Sequence, residues 1–221
     1  MDMDSSLAIL LDAGTAVVAD VFDSLGQLPP VLDNSLFAIP RGARFAGPAY
    51  TIAGEPQRWT SGGDRAKLAA IDGLPAGSVA VWAGGDIRGV CCFGDLLASA
   101  MRARGCAGVL VDGGVRDVAF LETLGLPILA RYRTPAQAIG RWRVTASQQP
   151  VRLRGALEDW LTVNPGDYMV ADGDGAIVAP AGLLAEVATR VAEWSRSETG
   201  ARDDIRAGLP LLAAIEKYGH L

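Results

Sequence analysis

Histidine is nearly missing from this chain. Of 221 residues only His220, beside the C-terminus, is a histidine, which argues against a Ser–His–Asp triad or a multi-histidine metal site within one chain. Lysine is almost as scarce, with Lys67 and Lys217 the whole supply. Lys67 falls on an expected helix near Arg65, and Lys217 falls in a charged tail. Both read as solvated surface residues, not as desolvated nucleophiles, so carbonyl chemistry here has to draw on a metal and not on an imine. Cysteine is limited to Cys91, Cys92 and Cys106, an odd number that suits a reducing cytoplasm better than a disulfide scaffold. No apolar run approaches membrane-spanning length, and Met1-Asp2-Met3-Asp4 lacks the basic start of a signal peptide. The expected location is therefore cytoplasmic, with no membrane partner. Positive charge is not in excess either. Twenty Lys and Arg face 25 Asp and Glu, a net −5, which argues against a broad nucleic-acid surface and leaves a protein partner open.

What is abundant is apolar: half of the residues are hydrophobic. A chain of this length and composition can bury a substantial core as one domain, 1–221, and no low-complexity segment, repeat or long linker divides it. Residues 6–25 carry a helical pattern through Leu7, Leu10, Leu11, Val17, Val18 and Val21, interrupted at Gly14. Residues 27–34, with Pro29-Pro30, read as an irregular connection. Strands are expected at 43–53 and 77–83, with a short helix at 64–71 between them. Residues 84–94 form a glycine-rich loop whose spacing does not match G-x-G-x-x-G, so a flexible active-site rim replaces the dinucleotide reading. Further strands are expected at 127–130, 142–145 and 151–153. Residues 168–171 and 176–179 flank Asp172-Gly173-Asp174-Gly175, a hairpin signal. That loop resembles a calcium loop only superficially, since the twelfth position is Leu183 and not a glutamate. Turn chemistry explains it. Helices at 181–196 and 203–218, separated near Gly200, close the chain and are expected to lie at a subunit interface.

The stretch that organises the rest is 94–117. Leu96, Leu97, Ala100 and Met101 recur at helical spacing, so 95–104 reads as an amphipathic helix with Asp95 in its first turn and Gly105 as its stop. Residues 107–111 form a short apolar strand, which Asp112-Gly113-Gly114 is expected to break. Another helical pattern begins with Val118, Leu121 and Leu124. A ten-residue helix covers about 15 Å, and the strand returns about 17–20 Å. The twenty residues between Asp95 and Arg116 therefore bring Asp95, Arg116 and Asp117 to one edge.

Asp95, twenty residues, then Arg116-Asp117 resembles the signature of the RraA-like family. Ala46-Gly47-Pro48-Ala49-Tyr50-Thr51, Gly94-Asp95-Leu96-Leu97, Val111-Asp112-Gly113-Gly114-Val115-Arg116-Asp117, Asn164-Pro165-Gly166-Asp167 and Ala171-Asp172-Gly173-Asp174-Gly175 are similar to family segments in family order. Together they cover roughly residues 16–180. The resemblance implies a layered α/β sandwich with C-terminal helices, assembled as a homotrimer or a pair of trimers with active sites between subunits. It also implies a divalent-metal-dependent lyase of the 4-hydroxy-4-methyl-2-oxoglutarate aldolase type, with oxaloacetate decarboxylase activity. The alternative within the same family is a non-catalytic ribonuclease regulator. A third reading, quinone methyltransferase, lacks the glycine-rich cofactor motif it requires.

For a 2-oxo acid substrate the chemistry is coherent. Amides around Gly94, Leu96 and Leu97 sit at the positive end of a helix, and Arg116 adds a fork suited to a carboxylate. Cleavage to pyruvate leaves an enolate, and a divalent metal would provide the electrophile. The resemblance assigns Asp117 to Mg2+ or Mn2+ and Arg116 to the substrate. Asp95 would position a water for proton transfer, although an aspartate at a helix start is otherwise a simple cap worth about 0.5–2 kcal/mol. Asp112 reads as turn formation before Gly113, and Cys91 and Cys92 read as packing on the same rim. Phe120 is a departure, because some family aldolases have an acidic residue there.

Overall fold

The computed structural model describes residues 2–58 and 63–219; His220 lies outside them. Helices α1 (Met3–Ala13) and α2 (Thr15–Ser24) are split at Gly14, whose φ of 91° no other residue adopts comfortably. Strand β1 (Phe37–Ile39) precedes the long β2 (Phe45–Pro56). The middle of the chain then alternates: α3 (Arg65–Asp72), β3 (Val79–Ala83), β4 (Cys91–Phe93), α4 (Asp95–Ala103), β5 (Gly108–Val115), α5 (Val118–Leu124) and β6 (Ile128–Arg133). Strands β2, β3, β5 and β6 lie side by side in that order and run parallel to one another, with α3, α4 and α5 as the crossovers. Strand β7 (Trp142–Ser147) returns antiparallel beside β2. A separate ribbon pairs β8 (Val151–Arg154) with β9 (Trp160–Val163). Strands β10 (Tyr168–Ala171) and β11 (Ala176–Ala179) form the expected hairpin and extend the main sheet from β2. Helices α6 (Leu184–Arg206) and α7 (Leu211–Tyr218) follow.

The main sheet has nine strands in the order β1-β6-β5-β3-β2-β10-β11, with β4 beside β5 and β7 beside β2. Its central strands are buried on both faces, and β5 has no exposed residue along its length. One face packs Trp82, Val109 and Val111 under Ile71, Met101 and Leu121 of the crossover helices. The other packs Val81, Leu110 and Leu129 against Val151, Leu153, Leu161 and Val163 of the ribbon. A third apolar layer joins α1, α2 and α6 to the hairpin through Leu10, Val18, Val170, Ile177 and Val187. Among the described residues no single helix is long and apolar enough to cross a membrane.

Three sequence expectations need correction. Asp112-Gly113-Gly114 does not break the strand: β5 runs through it to Val115. The glycines serve close packing, since a Cβ on Gly114 would lie 2.5 Å from the Tyr132 ring and 2.6 Å from the Val90 carbonyl. The glycine-rich loop is also tied down, for it contains β4, and the Tyr132 hydroxyl, 3.0 Å from the carbonyls of both Ile87 and Val90, shares its one proton between them. Finally, Gly200 does not separate the last helices. Helix α6 continues to Arg206, and Gly200 is where Tyr218 of α7 crosses it, 3.0 Å from where a Cβ would stand.

Candidate active site

Two parallel strands, β4 and β5, end side by side, with Phe93 opposite Val115. Helices α4 and α5 start directly beyond them, so Asp95, Arg116 and Asp117 gather at the carboxyl edge of the sheet, where open α/β sheets bind ligands. The backbone N–H of Asp95 donates to Asp117 Oδ2 at 3.3 Å, and Arg116 Nε lies 3.4 Å from the same oxygen. Gly94 makes this approach possible. A Cβ there would stand 2.7 Å from Asp117 Oδ2 and 3.2 Å from Arg116 Cγ. Asp117 itself is held in the left-handed region (φ 59°, ψ 33°) at the start of α5, a backbone cost that aspartate tolerates better than most side chains.

Gly94, not Asp95, is the N-cap of α4. Asp95 is the first helical residue, and its Oδ1 accepts the Leu96 N–H at 2.7 Å. One of the amides expected to face a substrate carboxylate is thus already engaged by Asp95. A ligand anion at the helix start would have to displace the Asp95 carboxylate from it.

Arg116 stands between two concavities. The first, about 140 Å3, is lined by Gly94, Asp95, Leu96, Leu97 and Arg116, together with residues 91–93 and 137–139. Lys67 completes the wall. The residue is half-buried and lines the same cavity as Arg116. Lys67 escaped the sequence reading because its position depends on Asp64, which accepts both the Lys67 N–H at 3.1 Å and the Val144 N–H at 2.9 Å and so fastens α3 to β7. The second concavity, about 450 Å3, is where Asp117 opens, together with Val118, Arg133 and Thr134. The cysteines are packing residues: burial pushes the Cys91 thiol up and the Cys92 thiol up to about 12, far from an activated thiolate.

Among the described residues no group of three or more His, Cys, Asp or Glu is placed to hold a metal. A hard divalent cation that keeps most of its water needs fewer protein ligands. Asp117 fits such an ion, with a carboxylate 37% exposed and free to present oxygen to the second concavity.

Asp112 is not a turn residue. It is buried on the opposite face of β5, 3.0 Å from Arg131, which lies 3.7 Å from Asp86. Arg154 of β8 grips Asp86 through two hydrogen bonds of 3.1 and 3.0 Å. The four residues pin the loop and ribbon behind the site. Burial outweighs the Arg131 pairing and raises the Asp112 carboxyl, whereas the Arg154 hydrogen bonds hold Asp86 below the usual carboxylate range.

Comparison with known proteins decides the family. A family model described as RraA-like, Aldolase/RraA, matches residues 15–178. The chain belongs to the RraA-like family. It is 34% identical over 177 residues to a protein of Albidiferax ferrireducens named "Putative 4-hydroxy-4-methyl-2-oxoglutarate aldolase", covering 75% of this chain and 91% of that one. It is 27% identical to Protein DlpA of Legionella pneumophila over 98% of its own length, but spans only 34% of that longer protein. Among solved structures, Streptomyces coelicolor RraAS2, titled an unusual member of the RNase ES inhibitor RraA protein family, superposes with a TM-score of 0.78. That match has 28% identity and covers 91% of this chain and 97% of that one. The layered α/β architecture is the family's.

Proposed function

We propose that this RraA-like protein is a divalent-metal-dependent lyase that cleaves or decarboxylates a 2-oxo acid, a 4-hydroxy-2-oxo acid or oxaloacetate, to yield pyruvate. The observation that carries the reading is the convergence of Asp95, Arg116 and Asp117 at the start of α4, through contacts of 3.3 and 3.4 Å. Arg116 grips the carboxylate next to the 2-oxo group, and the Leu96 and Leu97 amides at the helix start add donors and a positive dipole end. Asp117 would hold Mg2+ or Mn2+. When bound, such an ion polarises the 2-oxo group as a Lewis acid. Breaking the C3–C4 bond releases CO2 from oxaloacetate, or a carbonyl fragment from a 4-hydroxy-2-oxo acid whose C4 hydroxyl gives its proton to water; either way negative charge is left across C2 and C3 of the three-carbon fragment, and C3 must gain a proton. Asp95, at the cavity wall, positions the water that delivers it. The carboxylate can swing off the Leu96 amide as the substrate anion arrives, which couples binding to freeing the base.

The protein acts in the cytoplasm as a homotrimer or a dimer of trimers in this reading, without membrane or nucleic-acid partners. Exposed Leu211, Leu212 and Ile215 on α7 support contact with a neighbouring subunit by the C-terminal helices. The likeness to the ribonuclease-inhibitor structure favours a second reading, a regulatory binding protein that does no chemistry.

A coupled pyruvate-release assay over 4-hydroxy-2-oxo acids and oxaloacetate separates the two. The lyase loses activity in excess chelator and regains it with magnesium or manganese. Full activity in chelator, or no turnover of any substrate by a protein that binds a ribonuclease tightly, would contradict it.

A further inference from the structure

The two concavities that meet at Arg116 differ in chemistry. Arg116 Nε lies 3.4 Å from Asp117 Oδ2, which draws the charged end toward the residue that lines the second concavity. The first is almost wholly apolar, walled by Phe93, Leu96, Leu97, Ala138 and Ile139. Arg116 and Lys67 also line it, and to a wall of that kind they contribute mainly the hydrocarbon of their stems. The cysteines on the wall hold neutral thiols, because burial raises both. An anion seated there would give up its water and find little to hydrogen-bond to in return. A hydrocarbon group fits instead. Leu96 and Ile139 line the cavity and yet are 78% and 59% exposed, so an apolar group between them takes surface on both sides out of water. The size agrees. The cavity holds about 140 Å3, and an apolar protein cavity of about 150 Å3 takes up benzene.

We propose that the cavity beside Arg116 is a specificity pocket for an uncharged hydrocarbon substituent on C4, so that the substrate is a 4-hydroxy-2-oxo monocarboxylic acid bearing an aryl or branched alkyl group. This rests on the function proposed above and narrows its substrate class away from diacids. With C1 and C2 held at Arg116 and Asp117, C3 lies toward Asp95 and the C4 substituent enters the cavity. The cleavage is redox-neutral. The C3–C4 bond breaks, the C4 hydroxyl gives its proton to water and becomes the carbonyl of an apolar aldehyde, and C3 gains a proton to complete pyruvate.

The test compares 2-oxo-4-phenylbutanoate, 2-oxopentanoate and 2-oxoglutarate, whose C4 carries a phenyl, a methyl and a carboxylate group in turn. None has a C4 hydroxyl, so none is cleaved and binding is read alone. Calorimetric titration in magnesium buffer measures the three affinities for the wild-type protein, Ile139→Asn and Ile139→Lys, with circular dichroism of each sample as the check on folding. The wild-type protein should bind the phenyl compound roughly tenfold or more tighter than the methyl one, as an apolar pocket allows, and 2-oxoglutarate most weakly. Ile139→Asn should shrink the phenyl-to-methyl ratio, and Ile139→Lys should shift the preference toward 2-oxoglutarate. A wild-type protein that prefers 2-oxoglutarate or does not distinguish phenyl from methyl overturns the proposal, as does an undiminished phenyl preference in both variants. Pyruvate release from 4-hydroxy-2-oxo-4-phenylbutanoate is measured separately. A phenyl preference that depends on Ile139 in a protein without lyase activity supports the pocket and removes only the reaction, whereas pyruvate release from diacids with no phenyl preference removes only the pocket.

Discussion

Arg116 and Asp117 are neighbours in the chain, yet Arg116 lines both concavities and Asp117 only the second, and the proposed function gives them different tasks. Cutting Arg116 to alanine removes a charged hydrogen bond to the substrate, typically about 1.5–3 kcal/mol. Steady-state kinetics should show kcat/KM down by about 10- to 150-fold, since each 1.36 kcal/mol is tenfold. Arg116→Lys should recover only part, because an ammonium lacks the planar fork. Metal affinity measured without substrate should hold or rise slightly, because Arg116 opposes the ion's charge. Asp95 gives a sharper signature. Its carboxylate occupies the Leu96 N–H at 2.7 Å, so Asp95→Ala both removes the proton-delivering water and frees an amide. The expected split is a large fall in kcat with pyruvate inhibition retained or tightened. A parallel loss of both would make Asp95 a structural residue. The grouping of these residues was legible in the sequence because a helix and a returning strand of matched length bring Asp95 and Arg116 together. Lys67 was not, because its place is set by a carboxylate that ties α3 to a strand 80 residues away.

Elements show where local signals yield to tertiary packing. The Asp172-Gly173-Asp174-Gly175 turn was legible as a hairpin, and Asp172 Oδ1 accepts the Asp174 N–H at 3.0 Å. Its second task was not. Asp172 also accepts the Thr15 N–H and hydroxyl, both at 2.7 Å, and so caps α2 from 157 residues away. Asp172→Ala should lower stability in urea unfolding by about 1–2 kcal/mol, as the loss of an N-terminal helix cap does, and added calcium should not change the wild-type value. Strand β5 shows the same limit, since Gly113 and Gly114 read as a break when taken alone and as close packing once β4 and Tyr132 lie on them. The ion cluster behind β5 predicts opposite pH behaviour for its two aspartates. Asp112 is raised from 3.8, so its contribution to stability is complete below 3.8 and is lost as pH rises through its folded value. Asp86 is lowered from 3.8, so its contribution is present above 3.8 and is lost as pH falls through its folded value. Stability differences between the wild-type protein and Asp112→Asn or Asp86→Asn, followed by urea unfolding from acid to neutral pH, should therefore slope in opposite directions. Equal slopes would contradict the burial argument.

At the scale of the molecule, alternating apolar runs and helical patterns made the crossovers α3, α4 and α5 and the parallel strands between them readable. Three short elements were not readable, although the equally short β8, β10 and β11 were. Strands β1, β4 and β9, of three or four residues, exist only because neighbours supply their hydrogen bonds. The assembled sheet then does what no segment does alone: it brings Asp95, Arg116 and Asp117 to one edge, where the proposed lyase would turn the Asp117 carboxylate toward a hydrated cation and the Arg116 guanidinium toward an organic acid. Asp117→Asn separates those two tasks. Asparagine keeps the size of the side chain and tolerates the left-handed backbone at φ 59°, so folding and assembly should survive. Pyruvate release from the best substrate, measured across a magnesium titration beside circular dichroism and sedimentation of the same sample, should fall to background at every metal concentration. A folded Asp117→Asn protein that still releases pyruvate at the wild-type rate and with the wild-type magnesium dependence would contradict the account.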